Sequence, residues 1–194
     1  MIGGMSPGDV STAAGRAAVL DQLDDATDRL LRTVGSLGEG DMRAASLCPG
    51  WTRAHVIAHV ARNAEALANL LRGARTGTPA AAYASQEARD AAIEHGAHQP
   101  HTVLLPELID SAGLFRREAF AVAEPAWEAP VRMLSGAAFP AAEVLIRRLV
   151  EVEVHHVDLD AGYSWQDWPE SFAQLDLGEP MNSYRADRMP PSAR

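Results

Sequence analysis

The chain has 194 residues, of which 47% are hydrophobic and 22% are charged, a composition that suits one domain with a buried core. The formal net charge of −9 argues against binding to a nucleic-acid backbone, and no apolar run is long enough to span a membrane. The single cysteine, Cys48, cannot form an intramolecular disulfide, so we expect a cytoplasmic protein. All 17 basic residues are arginine, which excludes chemistry that needs a lysine.

The first half of the chain predicts three helices, because alanine and leucine dominate and apolar residues recur at helical spacing. The first helix covers residues 11–34. The second begins after Thr52, a suitable N-cap, and runs to residue 71 or 72, where a loop begins. A short helix follows over residues 86–95, and Gly96 is predicted to end it.

The second half predicts two further long helices separated by a small hairpin. The third long helix covers about residues 102–123, and Pro106 marks its first turn or a late start near Leu105. Residues 131–139, with a turn at Ser135-Gly136, are predicted to form a small hairpin. The fourth long helix covers residues 141–159.

Four long helices with connections of some length predict a mainly all-α fold, a four-helix bundle. We expect the bundle to occupy residues 11–162 and to bind a metal ion, for the reasons that follow. Residues 163–194 are predicted to form a short C-terminal tail, since the helical pattern weakens beyond that point.

The fourth long helix carries a pair of candidate metal ligands. Glu151 and His155 are four residues apart, which places them about 40° apart on one face of a helix. A histidine from the second helix, His59 or His55, completes a three-ligand set with open positions for water or substrate. Bundle cores hold metal ions in this way, with side chains from facing helices.

Spacing alone leaves the register of this site open. Glu153 and His156, three residues apart, form a second possible pair on the same helix. The spacing therefore predicts a metal site between the second and fourth long helices without deciding which pair faces it.

A resemblance to a known family addresses this ambiguity. The segment Cys48-Pro-Gly-Trp-Thr-Arg-Ala-His-Val-Ile-Ala-His59 closely resembles the Pro-Gly-Trp-Thr…His segment of mycothiol-dependent maleylpyruvate isomerases, which belong to the DinB-like superfamily of four-helix metalloproteins. Residues 83–96, the Arg147/Arg148 pair and residues 151–159 resemble the same family. The likeness covers about residues 12–170.

The resemblance implies a zinc site and its ligands. Carried over residue by residue, the zinc ligands and catalytic residues of the family fall on His59, Glu151 and His155. Arg62 and Arg89 are the candidates for binding the cofactor and the carboxylates of a substrate.

Other polar residues near these ligands receive supporting roles. Asp158, one turn after His155, is expected either to orient that imidazole or to cap the helix. His55 and His156 are interpreted as structural or as neighbours of the ligands. Glu153 is predicted to face solvent or to pair with one of the two adjacent arginines, Arg147 and Arg148.

Cys48 and the aromatic residues are predicted to pack rather than to react. Arg53 is the nearest basic residue that could activate the thiol, so we interpret Cys48 as a small buried residue. The same packing role is predicted for the four aromatic residues Trp51, Tyr163, Trp165 and Trp168.

The reaction implied by the resemblance is the cis–trans isomerisation of maleylpyruvate to fumarylpyruvate. A thiolate adds to the double bond, the adduct rotates and the thiolate leaves; in this family the thiol is mycothiol, which zinc activates by lowering its pKa. The expected partners are thus a small-molecule substrate and a low-molecular-weight thiol, with no nucleic acid and no membrane. The chain is expected to be a monomer or a homodimer.

The resembling isomerases carry a C-terminal α/β domain that supplies an arginine to the substrate site. Residues 163–194 do not match that domain, so we expect weak isomerisation of maleylpyruvate unless Arg185 or Arg188 takes the place of that arginine. Two other functions remain open: a mycothiol-dependent S-transferase that acts on another electrophile, and a non-catalytic metal-binding bundle.

Overall fold

Helices make up most of the computed structural model, which describes residues 9–134 and 136–191. The longer helices are α1 (Ala13–Ser36), α2 (Arg53–Thr76), α3 (Gln86–Ala97), α4 (His101–Ala121) and α5 (Glu143–Asp158). Two short helices follow, α6 (Glu170–Ala173) and α7 (Met181–Ala186). Short 3-10 helices cover Asp41–Arg43, Glu124–Glu128 and Trp165–Asp167, and the strands are β1 (Pro130–Val131) and β2 (Phe139–Pro140). Among the described helices, none has the length and apolar character that a membrane span requires.

The predicted four-helix bundle is confirmed, with α2 at its centre. Helix α2 packs against α4, α3 and α5, and α1 packs mainly against α5. The small side chains of α2 allow these helices to approach closely. Its fully buried alanines are Ala54, Ala58, Ala61, Ala64, Ala66 and Ala68.

Helix α2 begins where the sequence predicts and ends later. The Thr52 hydroxyl accepts the His55 backbone N–H at 3.4 Å, and His55 Nδ1 accepts the Thr52 backbone N–H at 3.2 Å. These two backbone N–H groups have no acceptor within the helix, so the two side chains satisfy them. The predicted end at residue 71 or 72 is wrong, because Gly73 lies inside the helix. The helix ends at Thr76, and Gly77 caps it with a φ of +69°, a conformation that favours glycine.

The predictions for Gly96 and Pro106 are also corrected. Gly96 lies inside α3, and a Cβ atom at this position would come within 2.8 Å of the Ala58 Cβ. This glycine therefore permits close packing of α3 on α2 and does not end the helix. Helix α4 starts at His101, not near Leu105, and Pro106 lies in its second turn, where it removes one backbone hydrogen bond.

The predicted hairpin is confirmed by the antiparallel pair β1–β2. Pro130 pairs with Pro140, and Val131 pairs with Phe139. Ser135, at the predicted turn, lies outside the described residues. Helix α5 begins two residues later than predicted, because residues 141 and 142 form the turn that follows β2.

The described residues that follow α5 return to the bundle, and α7 packs against α5. Trp168 and Phe172 are buried and their rings meet edge to face at 5.4 Å. The Trp168 indole N–H donates to the backbone oxygen of Glu153 at 3.3 Å. This segment therefore contributes to the same hydrophobic core as the helices that precede it.

Candidate metal centre

Three potential metal ligands meet between α2 and α5. His59 Nε2 lies 3.0 Å from Glu151 Oε2 and 3.1 Å from His155 Nε2. His155 Nε2 lies 3.3 Å from the same carboxylate oxygen. The three ligand atoms form a nearly equilateral triangle, so the structure brings together the three residues that the family resemblance implied.

The size and composition of this triangle fit a zinc ion. Zinc bonds of about 2.0–2.2 Å in a tetrahedral arrangement place neighbouring ligand atoms about 3.3–3.6 Å apart, close to the separations found here. Two imidazoles and one carboxylate are a ligand set of catalytic zinc, which keeps a fourth position open. The donor set therefore suits a divalent cation that also binds an exogenous group.

The protonation of His59 agrees with a ligand role. Its side chain is only 7% exposed. Burial lowers the pKa of His59, and the opposing hydrogen bond with Glu151 does not restore it. The ring is therefore neutral at physiological pH, the charge state in which an imidazole binds a metal ion.

Asp158 determines which nitrogen of His155 faces the triangle. The Asp158 Oδ2 atom lies 2.8 Å from His155 Nδ1. Burial raises the pKa of Asp158, but hydrogen bonds from His155 and Arg188 outweigh it and hold the pKa below its usual range. A charged carboxylate only accepts, so Nδ1 carries a proton and Nε2 is directed at the candidate ligands. Of the two roles expected for Asp158, the structure favours orientation of the imidazole.

The site favours positive charge at its centre. Burial lowers the pKa of His155, but hydrogen bonds with Asp158, Cys48 and Glu151 raise it well above its usual value. Two carboxylates therefore stabilise a cation beside this ring, and a divalent metal ion meets the same electrostatic demand as a proton.

The triangle opens into a cavity of about 470 Å³. Its walls come from the Pro-Gly-Trp turn, α2, α3, α5 and the C-terminal segment: Cys48, Pro49, Trp51, His59, Arg89, Val150, Glu151, Val154, His155, Tyr184, Asp187 and Arg188. The volume lies in the range of small-molecule sites. Arg188 was predicted as one of two arginines that could reach the site from the C-terminal segment, and of these two the cavity wall contains Arg188 and not Arg185. The contribution of Tyr184 was not predicted, since no local pattern marks residues that enter a site from a distant segment.

Arg89 and Arg62, the two arginine candidates, occupy different environments. Arg89 lies in the cavity wall, and its Nη2 atom is 3.3 Å from His59 Nδ1. Arg62 does not belong to the described cavity wall; its Nη2 donates to Glu107 at 2.8 Å, and its Nη1 lies 3.4 Å from Glu65. The structure thus provides contacts with the site for Arg89 alone of these two.

Glu153 and His156, the alternative ligand pair, face α1 and not the triangle. The predicted exposure of Glu153 is wrong: the residue is 1% exposed and accepts hydrogen bonds from Arg29 at 2.6 Å and the Tyr163 hydroxyl at 2.7 Å. His156 Nε2 lies 2.8 Å from the Thr33 hydroxyl, and burial lowers the pKa of His156 to about 4.

Arg147 and Arg148, which were expected to pair with Glu153, and His55, the alternative to His59 as a ligand, form contacts elsewhere. Arg148, which is 1% exposed, donates through Nη1 to the Val60 backbone oxygen at 2.8 Å and to Asn63 at 2.9 Å. Arg147 lies over the Phe139 ring. His55 caps α2 and has its Nε2 atom 3.2 Å from Glu94, so the candidate site uses His59 and not His55.

Cys48 and Trp51 lie in the cavity wall, closer to the site than predicted. The Cys48 sulfur is within 4.8 Å of ligand atoms of His155 and Asp158. Arg53 does not serve as its basic neighbour, because Arg53 Nε donates to the Leu159 backbone oxygen at 2.7 Å. The Trp51 ring lies 5.6 Å from the His59 ring.

Comparison with known proteins places the chain in a family. Residues 23–160 match the model of the mycothiol maleylpyruvate isomerase N-terminal domain. The chain belongs to this family. No curated protein sequence matches the chain.

Two crystal structures extend the comparison with the mycothiol-dependent maleylpyruvate isomerase family. One is of the mycothiol-dependent maleylpyruvate isomerase, with 34% identity and a TM-score of 0.78. The other is of a mutant of that isomerase in which alanine replaces a histidine, with 33% identity and a TM-score of 0.78. Each match covers 81% of this chain and 65% of the other chain, so this chain spans less than two thirds of the isomerase.

Proposed function

We propose that the chain is a zinc- and mycothiol-dependent isomerase that converts maleylpyruvate to fumarylpyruvate in the cytoplasm. The observation that carries this proposal is the triangle of His59, Glu151 and His155 in the wall of a 470 Å³ cavity. The family of the chain supports mycothiol as the thiol.

His59, Glu151 and His155 would hold the zinc ion through Nε2, a carboxylate oxygen and Nε2, respectively. When bound, zinc would lower the pKa of the thiol of mycothiol and so supply a thiolate at neutral pH. The single carboxylate among these ligands leaves net positive charge for an anionic sulfur. Val150 and Val154 provide an apolar part of the wall, which shields the charged groups from bulk water.

The isomerisation consumes no thiol. The thiolate adds to one alkene carbon of maleylpyruvate, and the electron pair of the double bond moves into the conjugated carbonyl group. The remaining carbon–carbon single bond rotates, the pair returns and the thiolate leaves with the trans bond formed. Arg89, in the cavity wall, would bind a carboxylate of the substrate by charge-assisted hydrogen bonds.

Metal analysis tests the ligand set. We expect near one zinc per chain in the wild type, a large loss in His59→Ala and little loss in His55→Ala. The two histidines lie four residues apart on α2, but only His59 belongs to the triangle, so His55→Ala is a matched control. Full retention of zinc in a folded His59→Ala variant would contradict the assignment.

Turnover tests the reaction. Conversion of maleylpyruvate, followed by proton NMR, is expected to need both zinc and added mycothiol and to leave the thiol concentration unchanged. Conversion at the same rate without thiol would overturn the mechanism.

An S-transferase that joins mycothiol to another electrophile is a second candidate. The observation that favours it concerns the two arginines in the cavity wall. Arg188 pairs with the buried Asp158, whereas Arg89 pairs with the exposed Asp90, so Arg89 is the easier of the two to release to a substrate. A dicarboxylate such as maleylpyruvate gains from two such contacts. Mass spectrometry distinguishes the two functions, since a transferase yields a stable thioether and consumes the thiol.

A further inference from the structure

Arg188, which lies in the C-terminal segment after α7, reaches the candidate metal centre from outside the residues that match the family model. Its Nε atom donates to Asp158 Oδ1 at 2.9 Å, and its Nη2 atom donates to Asp158 Oδ2 at 2.8 Å. The contact is therefore bidentate, and it fixes the plane of the carboxylate as well as its position.

The same carboxylate holds a candidate ligand. Asp158 Oδ2 accepts from Arg188 Nη2 and also lies 2.8 Å from Nδ1 of His155. The Asp158 side chain is 2% exposed, so water cannot easily replace the arginine as a donor. A continuous series of hydrogen bonds thus leads from the guanidinium group to the imidazole whose Nε2 atom faces His59 and Glu151.

The C-terminal segment is built to present this arginine. Met181, at the start of α7, is buried, and α7 packs against α5. The backbone N–H of Arg188 donates to the Arg185 oxygen at 3.2 Å, and its Nη1 atom donates to the Tyr184 oxygen at 3.3 Å. The side chain is 22% exposed, so part of its conformational freedom is already lost before any ligand binds.

We propose that Arg188 is a positioning residue of the metal centre, which acts through Asp158 to hold His155 in the orientation that binds zinc. The inference rests on the proposed function, because it requires that the triangle binds zinc. Loss of the outer partner of a metal-binding histidine typically weakens metal affinity about ten- to a hundredfold, and we expect an effect of this size.

The proposal differs from a purely structural role for the ion pair. If Arg188 only attaches the C-terminal segment to the bundle, its removal lowers the stability of the protein and leaves zinc affinity unchanged. If it positions His155, its removal lowers zinc affinity in protein that remains folded.

The test compares zinc affinity in four proteins, measured by competition with a chromophoric chelator: the wild type, Arg188→Gln, Asp158→Asn and the double variant. We expect affinity to fall about ten- to a hundredfold in each single variant. Because Arg188 acts through Asp158, the double variant is expected to bind zinc no more weakly than Asp158→Asn. Arg188→Lys keeps the charge but not the planar fork, so it is expected to restore affinity only in part.

Arg185→Gln is the matched control. Arg185 lies in the same segment, but its Nη1 atom donates to the Phe172 backbone oxygen and it does not belong to the described cavity wall. We expect wild-type zinc affinity in this variant. Circular dichroism and thermal unfolding in the presence of chelator show whether each variant is folded without metal. The absorption spectrum of the Co²⁺ form reports the geometry of the ligands, which we expect to change in Arg188→Gln and not in Arg185→Gln.

The outcomes separate this inference from the proposed function. Wild-type protein that binds no zinc overturns both. Wild-type protein that binds zinc, with equal affinity and an equal Co²⁺ spectrum in folded Arg188→Gln, overturns only the positioning role. An additive loss in the double variant overturns the path through Asp158.

Discussion

Replacement of Arg29 by methionine tests the buried network that holds α5 against α1. Arg29 Nη2 donates to Glu153 at 2.6 Å, and the Tyr163 hydroxyl donates to the other carboxylate oxygen at 2.7 Å. The Glu153 side chain is 1% exposed, whereas that of Arg29 is 26% exposed. Arg29→Met therefore leaves a buried carboxylate with one neutral donor and no counter-charge.

The expected loss in the free energy of unfolding follows from the burial of the Glu153 carboxylate. Removal of one partner from a fully buried ion pair typically costs 3–5 kcal/mol, because the remaining charge has no compensation. The partial exposure of Arg29 screens the pair, so we expect the free energy of unfolding to fall by about 2–4 kcal/mol at neutral pH. Arg29→Met/Glu153→Gln is expected to recover much of this loss, because no charge is then buried.

The loss of stability in Arg29→Met is also expected to depend on pH. Burial raises the pKa of Glu153 above its ordinary value of 4.5, although Tyr163 and Arg29 oppose this, and removal of Arg29 raises it further. A carboxyl group with a raised pKa in the folded state takes up a proton on folding, so its contribution to stability falls as the pH rises above 4.5. The difference between wild type and Arg29→Met is therefore largest at neutral pH and shrinks as the pH falls towards 4.5.

The assay is urea unfolding at several pH values in the presence of a chelator, so that metal binding does not contribute. Arg32→Met, at an exposed position on α1, is the matched control and is expected to change stability by no more than about 0.5 kcal/mol. If Arg29→Met matched this control at neutral pH, or if its loss did not change with pH, the argument from a buried charge would be refuted.

Two further predictions concern helix packing and the cysteine. Gly96→Ala is expected to cost about 1–3 kcal/mol in thermal or urea unfolding, because its Cβ would lie 2.8 Å from the Ala58 Cβ. Gly113→Ala in α4, where the added Cβ meets only the end of the Arg117 side chain, should instead be neutral or stabilising by up to about 1 kcal/mol, and an equal cost at both sites would refute the close contact. Cys48→Ser is expected to keep thiol-dependent turnover within a few-fold, because the added thiol supplies the nucleophile; loss of all activity with zinc retained would show that the Cys48 thiol is the nucleophile.

Features that depend on neighbouring residues could be predicted from the sequence. Helical periodicity indicated the long helices of the bundle, and Thr52 identified the start of α2 because an N-cap is a local hydrogen-bonding motif. The four-residue spacing of Glu151 and His155 placed both on one face of α5, as the structure does. The resemblance to the family, not the spacing, selected these residues and His59 over the alternatives.

Features that depend on distant segments could be assigned from the folded structure alone. Glu153 pairs with Arg29, 124 residues away, and not with its neighbours in sequence, because the packing of α1 on α5 buries this face. Gly96 permits a helix contact instead of ending α3, since its role depends on Ala58 across the interface. Arg188 reaches Asp158 only because the C-terminal segment folds back onto α5. Periodicity and capping are local properties of a chain, whereas a contact between segments far apart in sequence follows from packing and leaves no local pattern in either segment.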